Sequence, residues 1–152
     1  MNKHIRLRAA VRPDSIEIKK LVIAARLNPT GLDWRRFTVA VNANEKVIGC
    51  VQIKPHRDGS QELASLVVDG DYQGMGIARK LVADMIRNYA GELYLMCRAN
   101  LGDFYEKFGF RGIAEHEMPV YFKRVSKLSS IVEIVQKDGE TLLIMKHEGE
   151  KL

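Results

Sequence analysis

Gly74 and Gly76 stand between an apolar run and an amphipathic segment, and this arrangement can bind an anion. The apolar run, residues 63–68, is rich in aliphatic and β-branched side chains and ends in a turn signal, which predicts a strand. From Ile77 onward, apolar residues recur at three- and four-residue spacing, which predicts a helix that begins near Gly76. The first turn of a helix has N–H groups without intrahelical acceptors and the positive end of the helix dipole, so phosphate oxygens are its natural ligands.

Two well-known phosphate-binding motifs do not match this stretch. The P-loop needs four residues between its glycines, followed by Lys-Ser/Thr, and the dinucleotide fingerprint needs a third glycine where Arg79 stands. Gln73, Gly76 and Ala78 instead form the pattern Gln-x-x-Gly-x-Ala, which resembles the acetyl-CoA pyrophosphate loop of the GNAT superfamily of N-acetyltransferases. Taken alone, these residues are equally compatible with an ordinary strand, turn and helix.

A second stretch carries the same resemblance. Residues 104–110 read Phe-Tyr-Glu-Lys-Phe-Gly-Phe, and many GNAT members have Phe-Tyr-Glu-Lys-x-Gly-Phe at this place. The two motifs occur in the family's order and are joined by the predicted helix and by an apolar strand, residues 93–97. The chain is therefore identified as a member of the GNAT superfamily, to which it is most similar over residues 61–110.

The pattern of elements agrees with that resemblance. The residue pattern predicts four strands, at residues 5–10, 37–41, 46–53 and 61–69. The last three of these strands are expected to form an antiparallel meander. The strand that follows the helix, which we expect to end at Gly91, would pair in parallel with the strand before it. The resemblance implies an α+β fold, a GNAT-like acyl-CoA N-acyltransferase fold in one domain, residues 1–152. Its central mixed, mostly antiparallel sheet would have about six or seven strands, with helices on both faces.

The C-terminal part of the chain predicts further elements. Residues 110–114 follow a short helix and predict a strand, and Pro119 predicts the start of another helix. The apolar stripe of that helix is expected at Tyr121, Val125, Leu128, Val132 and Val135. A turn at residues 137–140 would lead into a last strand, residues 141–145.

The resemblance implies transfer of an acetyl group from acetyl-CoA to a primary amine by direct attack in a ternary complex. In relatives, the strand before the glycines is distorted, so that its main chain pairs with pantetheine and one N–H polarises the thioester carbonyl. The matching positions here are Leu66, Val67 and Val68. The complete set of expected cofactor-binding residues is Leu66, Val67, Val68, Gln73, Gly74, Met75, Gly76, Ile77, Ala78, Arg79, Asn100 and Tyr105.

The acceptor amine must lose a proton, because a lysine-like group with a pKa of about 10.4 is almost entirely protonated at neutral pH. Glu62 matches the general-base glutamate of histone-acetylating relatives, so we expect it to accept this proton. The alternatives are an exposed strand glutamate without a role, and ordered water as the base.

Tyr105 matches the tyrosine that donates a proton to the leaving CoA thiolate, and the alternative is a tyrosine that only packs its helix. Asn100 would bond to pantetheine, although it lies closer to Tyr105 than the corresponding asparagine does in most relatives.

Composition limits the other functions to consider. The 152 residues are 46% hydrophobic and 28% charged, which is ordinary for a globular protein, and the N-terminal residues lack the apolar segment of a secretory signal. We therefore expect a cytoplasmic protein without membrane contact.

Cys50 and Cys97 lie in apolar runs and are expected to be buried. The four histidines do not have the spacing of metal ligands, so we predict no metal.

Two other functions remain open at the level of sequence. A CoA-binding module that senses or regulates without catalysis would need the glycine turn but no acceptor site. A basic RNA-binding protein would agree with the net charge of +5. However, no strand face combines aromatic with basic residues, so nucleic acid is a less favoured partner than acetyl-CoA and an amine. Homodimers are common among relatives, so a homodimer is a further expectation.

Overall fold

The computed structural model describes residues 4–132 and 141–149. Within them, seven strands form one mixed, mostly antiparallel sheet in the order β1-β2-β3-β4-β5-β7-β6, accompanied by four α-helices, and this confirms the predicted α+β fold. The strands are β1 (Arg6–Ala9), β2 (Phe37–Val41), β3 (Val47–Pro55), β4 (Gln61–Val68), β5 (Leu93–Arg98), β6 (Arg111–Gly112) and β7 (Leu142–His147). The helices are α1 (Ser15–Ala24), α2 (Ile77–Arg87), α3 (Gly102–Glu106) and α4 (Val120–Val132).

The chain divides into two compact units, the first of which contains residues up to 54 together with residues 63–89. Its strands β1, β2 and β3 pair antiparallel, with Val39 opposite both Arg8 and Cys50. Helix α1 contributes Ile18 and Val22 to the apolar core of this unit, where they pack with β-strand side chains. The predicted first strand and the antiparallel hairpin at the start of the predicted meander are therefore confirmed in this unit.

Helix α2 also belongs to the first unit and follows the predicted pattern at its start. Its buried residues are Ile77, Leu81, Val82 and Met85, which are spaced by three and four residues along one side. The end of the helix was predicted wrongly, since it lies at Arg87 and not at Gly91. The backbone N–H and the side-chain amide of Asn88 both donate to the Asp84 carbonyl, at 3.1 Å and 2.8 Å, and close the last turn at this residue.

The second unit contains residues 55–62 and the chain from residue 90 onward. In it, β4 and β5 run parallel with Glu62 opposite Tyr94, as predicted for a strand, helix and strand in succession. Strand β5 pairs antiparallel with β7, and β7 with β6. The predicted strand at residues 110–114 is shorter than expected, although the N–H of Ile113 still donates to the Ile144 carbonyl at 3.0 Å.

Helix α4 begins where Pro119 predicts, but its apolar stripe was predicted partly wrongly. Phe122 is fully buried in the core of the second unit, whereas Leu128 is 61% exposed. The physical reason is that the large ring of Phe122 has more apolar area to bury, and this sets the rotation of the helix. The side chain of Val132, Val135 and the predicted turn at residues 137–140 lie outside the described part of the chain.

Candidate active site

The glycine turn, residues 73–78, has the backbone conformation that an anion site needs. Gly74 and Gly76 have φ angles of +80° and +78°, in the left-handed region that side chains other than glycine adopt at a cost. The N–H of Lys80 donates to the Gly76 carbonyl at 3.1 Å, which is the first hydrogen bond of the helix. The preceding N–H groups therefore have no acceptor within the helix, and they lie at its positive end.

The surroundings of the glycine turn also suit an anion. Arg79 and Lys80 are exposed in the first turn of α2, which contains no acidic residue. At the start of the turn, the side-chain amide of Gln73 donates to the Val68 carbonyl at 3.2 Å, and this bond connects the turn to the end of β4. Gln73 and Met75 are exposed. Apart from the adjacent residues, no atom lies within 4 Å of a Cβ built on Gly74 or Gly76, so the backbone is open to a ligand.

Strand β4 is irregular one residue before the positions expected to contact pantetheine. Ser65 has a φ of +58°, which is unusual for a residue other than glycine. The side-chain amide of Gln52 donates to the Ser65 hydroxyl at 2.9 Å, and the Cys50 thiol donates to the Ser65 carbonyl at 3.4 Å. These two β3 side chains hold the distortion that the resemblance predicted for this strand.

Of the three positions that follow, Val67 is buried in the core of the first unit, while Leu66 and Val68 are half-buried. The side chain of Val67 thus serves packing, so that at this position only the main chain is available for a ligand. Ser65 and Gln52 were not identified from the sequence. A polar residue inside each of two apolar runs was the available signal.

In the second unit, Glu62 is 5% exposed and has a buried partner. The Nε2 atom of His56 lies 2.8 Å from Oε1 of Glu62, and the imidazole is itself largely shielded from solvent. The imidazole ring stacks on Tyr121 of α4, with 3.6 Å between the ring centroids. This low exposure shows that the alternative of an exposed strand glutamate is wrong. A carboxyl group buried this deeply requires a hydrogen-bond partner, and His56 is such a partner.

Tyr105 lies on α3 among other aromatic rings, with its centroid 5.0 Å from that of Phe104 and 6.0 Å from that of Phe110. Burial, and to a lesser extent the nearby Cys97 thiol, raise the pKa of Tyr105 to about 12. The phenol therefore keeps its proton throughout the neutral range. Asn100 lies on the exposed one-turn 3-10 helix that precedes α3.

Neither cysteine is disposed to act as a nucleophile. Both are free and buried, as predicted. Burial raises the pKa of Cys50 to about 12, against a weaker opposing effect of the Val67 N–H, and burial alone raises the pKa of Cys97 to about 11. A thiol with such a pKa is almost entirely protonated at neutral pH.

Across residues 4–132 and 141–149, three or more His, Cys, Asp or Glu side chains nowhere come together as a metal site. The described helices likewise include none that is long and apolar enough to cross a bilayer.

Residues 33–112, more than half of the chain, match the sequence model of the acetyltransferase (GNAT) domain. The chain belongs to the GNAT acetyltransferase family. The match covers the glycine turn and Tyr105, the two stretches on which the resemblance was based, and the predicted family is confirmed. A comparison with curated proteins gives no significant match.

Several solved structures share the fold at low sequence identity. N-acetylglutamate synthase from Neisseria gonorrhoeae, complexed with coenzyme A and N-acetyl-glutamate, has a TM-score of 0.76 and 18% identity over 99% of this chain. This chain spans only 36% of that protein. Rv2747 from Mycobacterium tuberculosis, in complex with CoA, has a TM-score of 0.68 and 18% identity, covering 94% of this chain and 98% of its own. A GNAT acetyltransferase from Staphylococcus aureus Mu50 has a TM-score of 0.69 and 15% identity, covering 95% and 98%.

Proposed function

We propose that this GNAT family member transfers the acetyl group of acetyl-CoA to a primary amine, by direct attack of the amine on the thioester. The observation that carries the proposal is the open glycine turn at the start of α2, with two glycines at positive φ and no acidic residue in the first helical turn. Coenzyme A brings a diphosphate, and this turn offers the N–H groups and helix dipole that a diphosphate needs.

The first unit would supply the cofactor-binding groups. Backbone N–H groups of Gly74 to Ala78 would hold the diphosphate, and Arg79 would contribute a positive charge beside it. The main chain of residues 66–68 would pair with pantetheine, where the distortion at Ser65 interrupts the regular strand. A backbone N–H in this segment would stabilise the charge that develops on the thioester oxygen.

Glu62 in the second unit is proposed as the base that takes the proton of the acceptor ammonium. Its carboxyl group is shielded from bulk water, which favours proton uptake by a carboxylate. The bond formed is an O–H on Glu62 and the bond broken is one N–H of the ammonium. The neutral amine that results can then attack the thioester carbon.

Tyr105 is proposed to act on the leaving thiolate through a hydrogen bond. A phenol with a pKa of about 12 is protonated at neutral pH and can always donate. Complete proton transfer to a thiolate of ordinary pKa, about 8.5, would be uphill by roughly three to four pKa units. The hydroxyl would therefore stabilise the thiolate as it leaves, while solvent supplies the proton.

The test is a steady-state assay of CoA thiol release with acetyl-CoA and a panel of amines. The panel contains a lysine peptide, a peptide with a free N-terminal amine, a polyamine, an aminoglycoside and amino acids, the last because one related structure contains N-acetyl-glutamate. We expect turnover on at least one class, and loss of turnover by about 100-fold or more in Glu62→Gln. Glu115→Gln, which removes an exposed carboxylate paired with Lys127, is the matched control and should leave turnover unchanged.

The outcomes separate the competing functions. Binding of CoA without turnover on any amine would favour a module that senses the cofactor. Absence of binding at millimolar acetyl-CoA would overturn the whole proposal. A basic RNA-binding protein would instead bind nucleic acid with steep salt dependence and would gain no thermal stability from acetyl-CoA.

A further inference from the structure

His56 is held against Glu62 by its own backbone as well as by its ring. It lies at the start of the turn between β3 and β4, where its N–H donates to the Ser60 carbonyl at 2.9 Å. Its carbonyl accepts from the N–H of Gly59 at 3.0 Å. With the main chain fixed at both groups, the ring places Nε2 at 2.8 Å from Oε1 of Glu62.

The ring of His56 is in contact with three side chains, which come from β4 and α4. Glu62 faces it from β4, Tyr121 stacks on it from α4 with an interplanar angle of 16°, and Phe122 meets it edge-on with 5.7 Å between centroids. Asp58, in the same turn, also interacts with it electrostatically. The side chain of His56 is only 8% exposed and that of Glu62 only 7%, so water screens their interaction weakly.

Asp58 connects this cluster to α4. Its carboxylate accepts from the N–H of Tyr121 at 3.0 Å, at the start of that helix, and from the Ser60 hydroxyl at 2.6 Å. Burial acts to raise the pKa of Asp58, but the hydrogen bonds from Ser60 and Tyr121 outweigh it and leave the pKa below its ordinary value. Asp58 is therefore an anion at neutral pH and keeps Tyr121 in place over the imidazole.

We propose that His56 is a positioning residue for Glu62 and that the pair, rather than the glutamate alone, sets the pH dependence of acetyl transfer. The proposal deepens the proposed function and rests on it. An ionised carboxylate can only accept, so neutral His56 must donate its Nε2–H to Oε1.

The direction of the pH effect follows from the charge of the pair. When His56 is neutral, one hydrogen bond orients Glu62 without cancelling its charge, and the carboxylate can take a proton. When the pair has already bound a proton, the imidazolium holds the carboxylate ionised and makes it a weaker base. Since the two groups are coupled, the acidic limb of the kcat profile reports an apparent pKa of the pair.

Two substitutions separate donation from titration. His56→Gln places an amide N–H near the position of Nε2 but cannot titrate, and His56→Phe keeps a ring against Tyr121 but removes the donor. The control is His116→Gln, which changes an exposed histidine of the same unit. Each variant is assayed for kcat against pH at saturating acetyl-CoA and amine, for the KM of acetyl-CoA, and for thermal unfolding.

We expect His56→Gln to retain kcat within about 5-fold at alkaline pH, while its acidic limb moves down by at least about one pH unit. The shift is expected because the variant has no imidazole to bind the proton that the pair takes up in the unsubstituted protein. His56→Phe should lower kcat about 10- to 100-fold without changing the KM for acetyl-CoA. His116→Gln should reproduce the original profile.

Unchanged kcat and an unchanged acidic limb in His56→Gln, with Glu62→Gln inactive, would overturn this inference and leave the proposed function intact. Absence of turnover in the unsubstituted protein would overturn the proposed function itself. If His56→Phe does not fold, the acidic limb of the kcat profile of His56→Gln still tests the inference, because that variant keeps a hydrogen-bond donor.

Discussion

Tyr105 shows how burial defines what a single residue can do. Its ring is packed among Phe104 and Phe110, and this environment raises its pKa to about 12. The same environment that keeps the hydroxyl protonated also makes it a weak acid. In the proposed mechanism, its contribution would therefore be limited to a hydrogen bond that forms as negative charge develops on the sulfur.

Tyr105→Phe removes that hydroxyl and leaves the aromatic packing in place. We expect turnover to fall about 10- to 1000-fold, with little change in acetyl-CoA affinity, because the hydrogen bond forms only as the thiolate leaves. Steady-state kinetics and a separate binding titration with acetyl-CoA measure the two quantities. Tyr89→Phe, just beyond α2, removes the same group as a control. Full turnover in Tyr105→Phe would exclude a catalytic role for this residue.

At the scale of elements, the start of α2 depends on the conformation of one glycine. Gly76 is the N-cap of the helix and has a φ of +78° and a ψ of 15°. A side chain here would have open space, so the constraint is the backbone conformation and not crowding. Another residue type would cost about 1–2 kcal/mol in this region or would move the turn and its N–H groups.

Gly76→Ala should lower the free energy of unfolding by about 1 kcal/mol and weaken acetyl-CoA binding by roughly tenfold or more. Denaturant unfolding and isothermal titration measure the two effects. Gly70→Ala is the matched control, because Gly70 has an ordinary φ and open space around its Cα, and it should change stability by less than about 0.5 kcal/mol. Equal acetyl-CoA affinity in both variants would show that the glycine turn is not the diphosphate site.

At the scale of the whole molecule, the net charge of +5 favours encounter with anions, and the buried carboxylate of Asp14 contributes to the response to acid. Asp14, 7% exposed, accepts from Arg8 at 2.7 Å and 3.1 Å and from the N–H of Val11 at 2.8 Å. The hydrogen bonds from Arg8 are the main reason that the pKa of Asp14 is lowered, against the opposing effect of burial. A pKa lowered by folding means that the carboxylate form stabilises the folded state.

Asp14→Asn should therefore lower the free energy of unfolding by about 1–3 kcal/mol between pH 5 and 8. The difference from the unsubstituted protein is fully present above the unfolded-state pKa, about 3.9, and should vanish as pH falls through the lower folded-state value. Urea unfolding at a series of pH values measures it. Glu17→Gln, which breaks an exposed pair with Lys20 at 3.5 Å, should cost less than about 0.5 kcal/mol. A loss of stability in Asp14→Asn that is the same at pH 3 and pH 7 would contradict this account.

The sequence by itself determined the features that depend on local order. The start of α2 and the glycine turn were predictable, because helical periodicity and the left-handed preference of glycine are both expressed over a few consecutive residues. The parallel pair of β4 and β5 followed from the succession of strand, helix and strand. The identity of the family followed from two short motifs in the expected order.

Only the tertiary structure decided which polar groups meet. Gln52 and Ser65 lie on neighbouring strands, and His56 lies in the turn that precedes the strand of Glu62. Their spacing in sequence does not specify which side chains face each other. Tyr121 joins His56 from a helix far along the chain, and the burial of Phe122 sets the rotation of that helix. Such contacts depend on how all elements pack at once, so no local pattern predicts them.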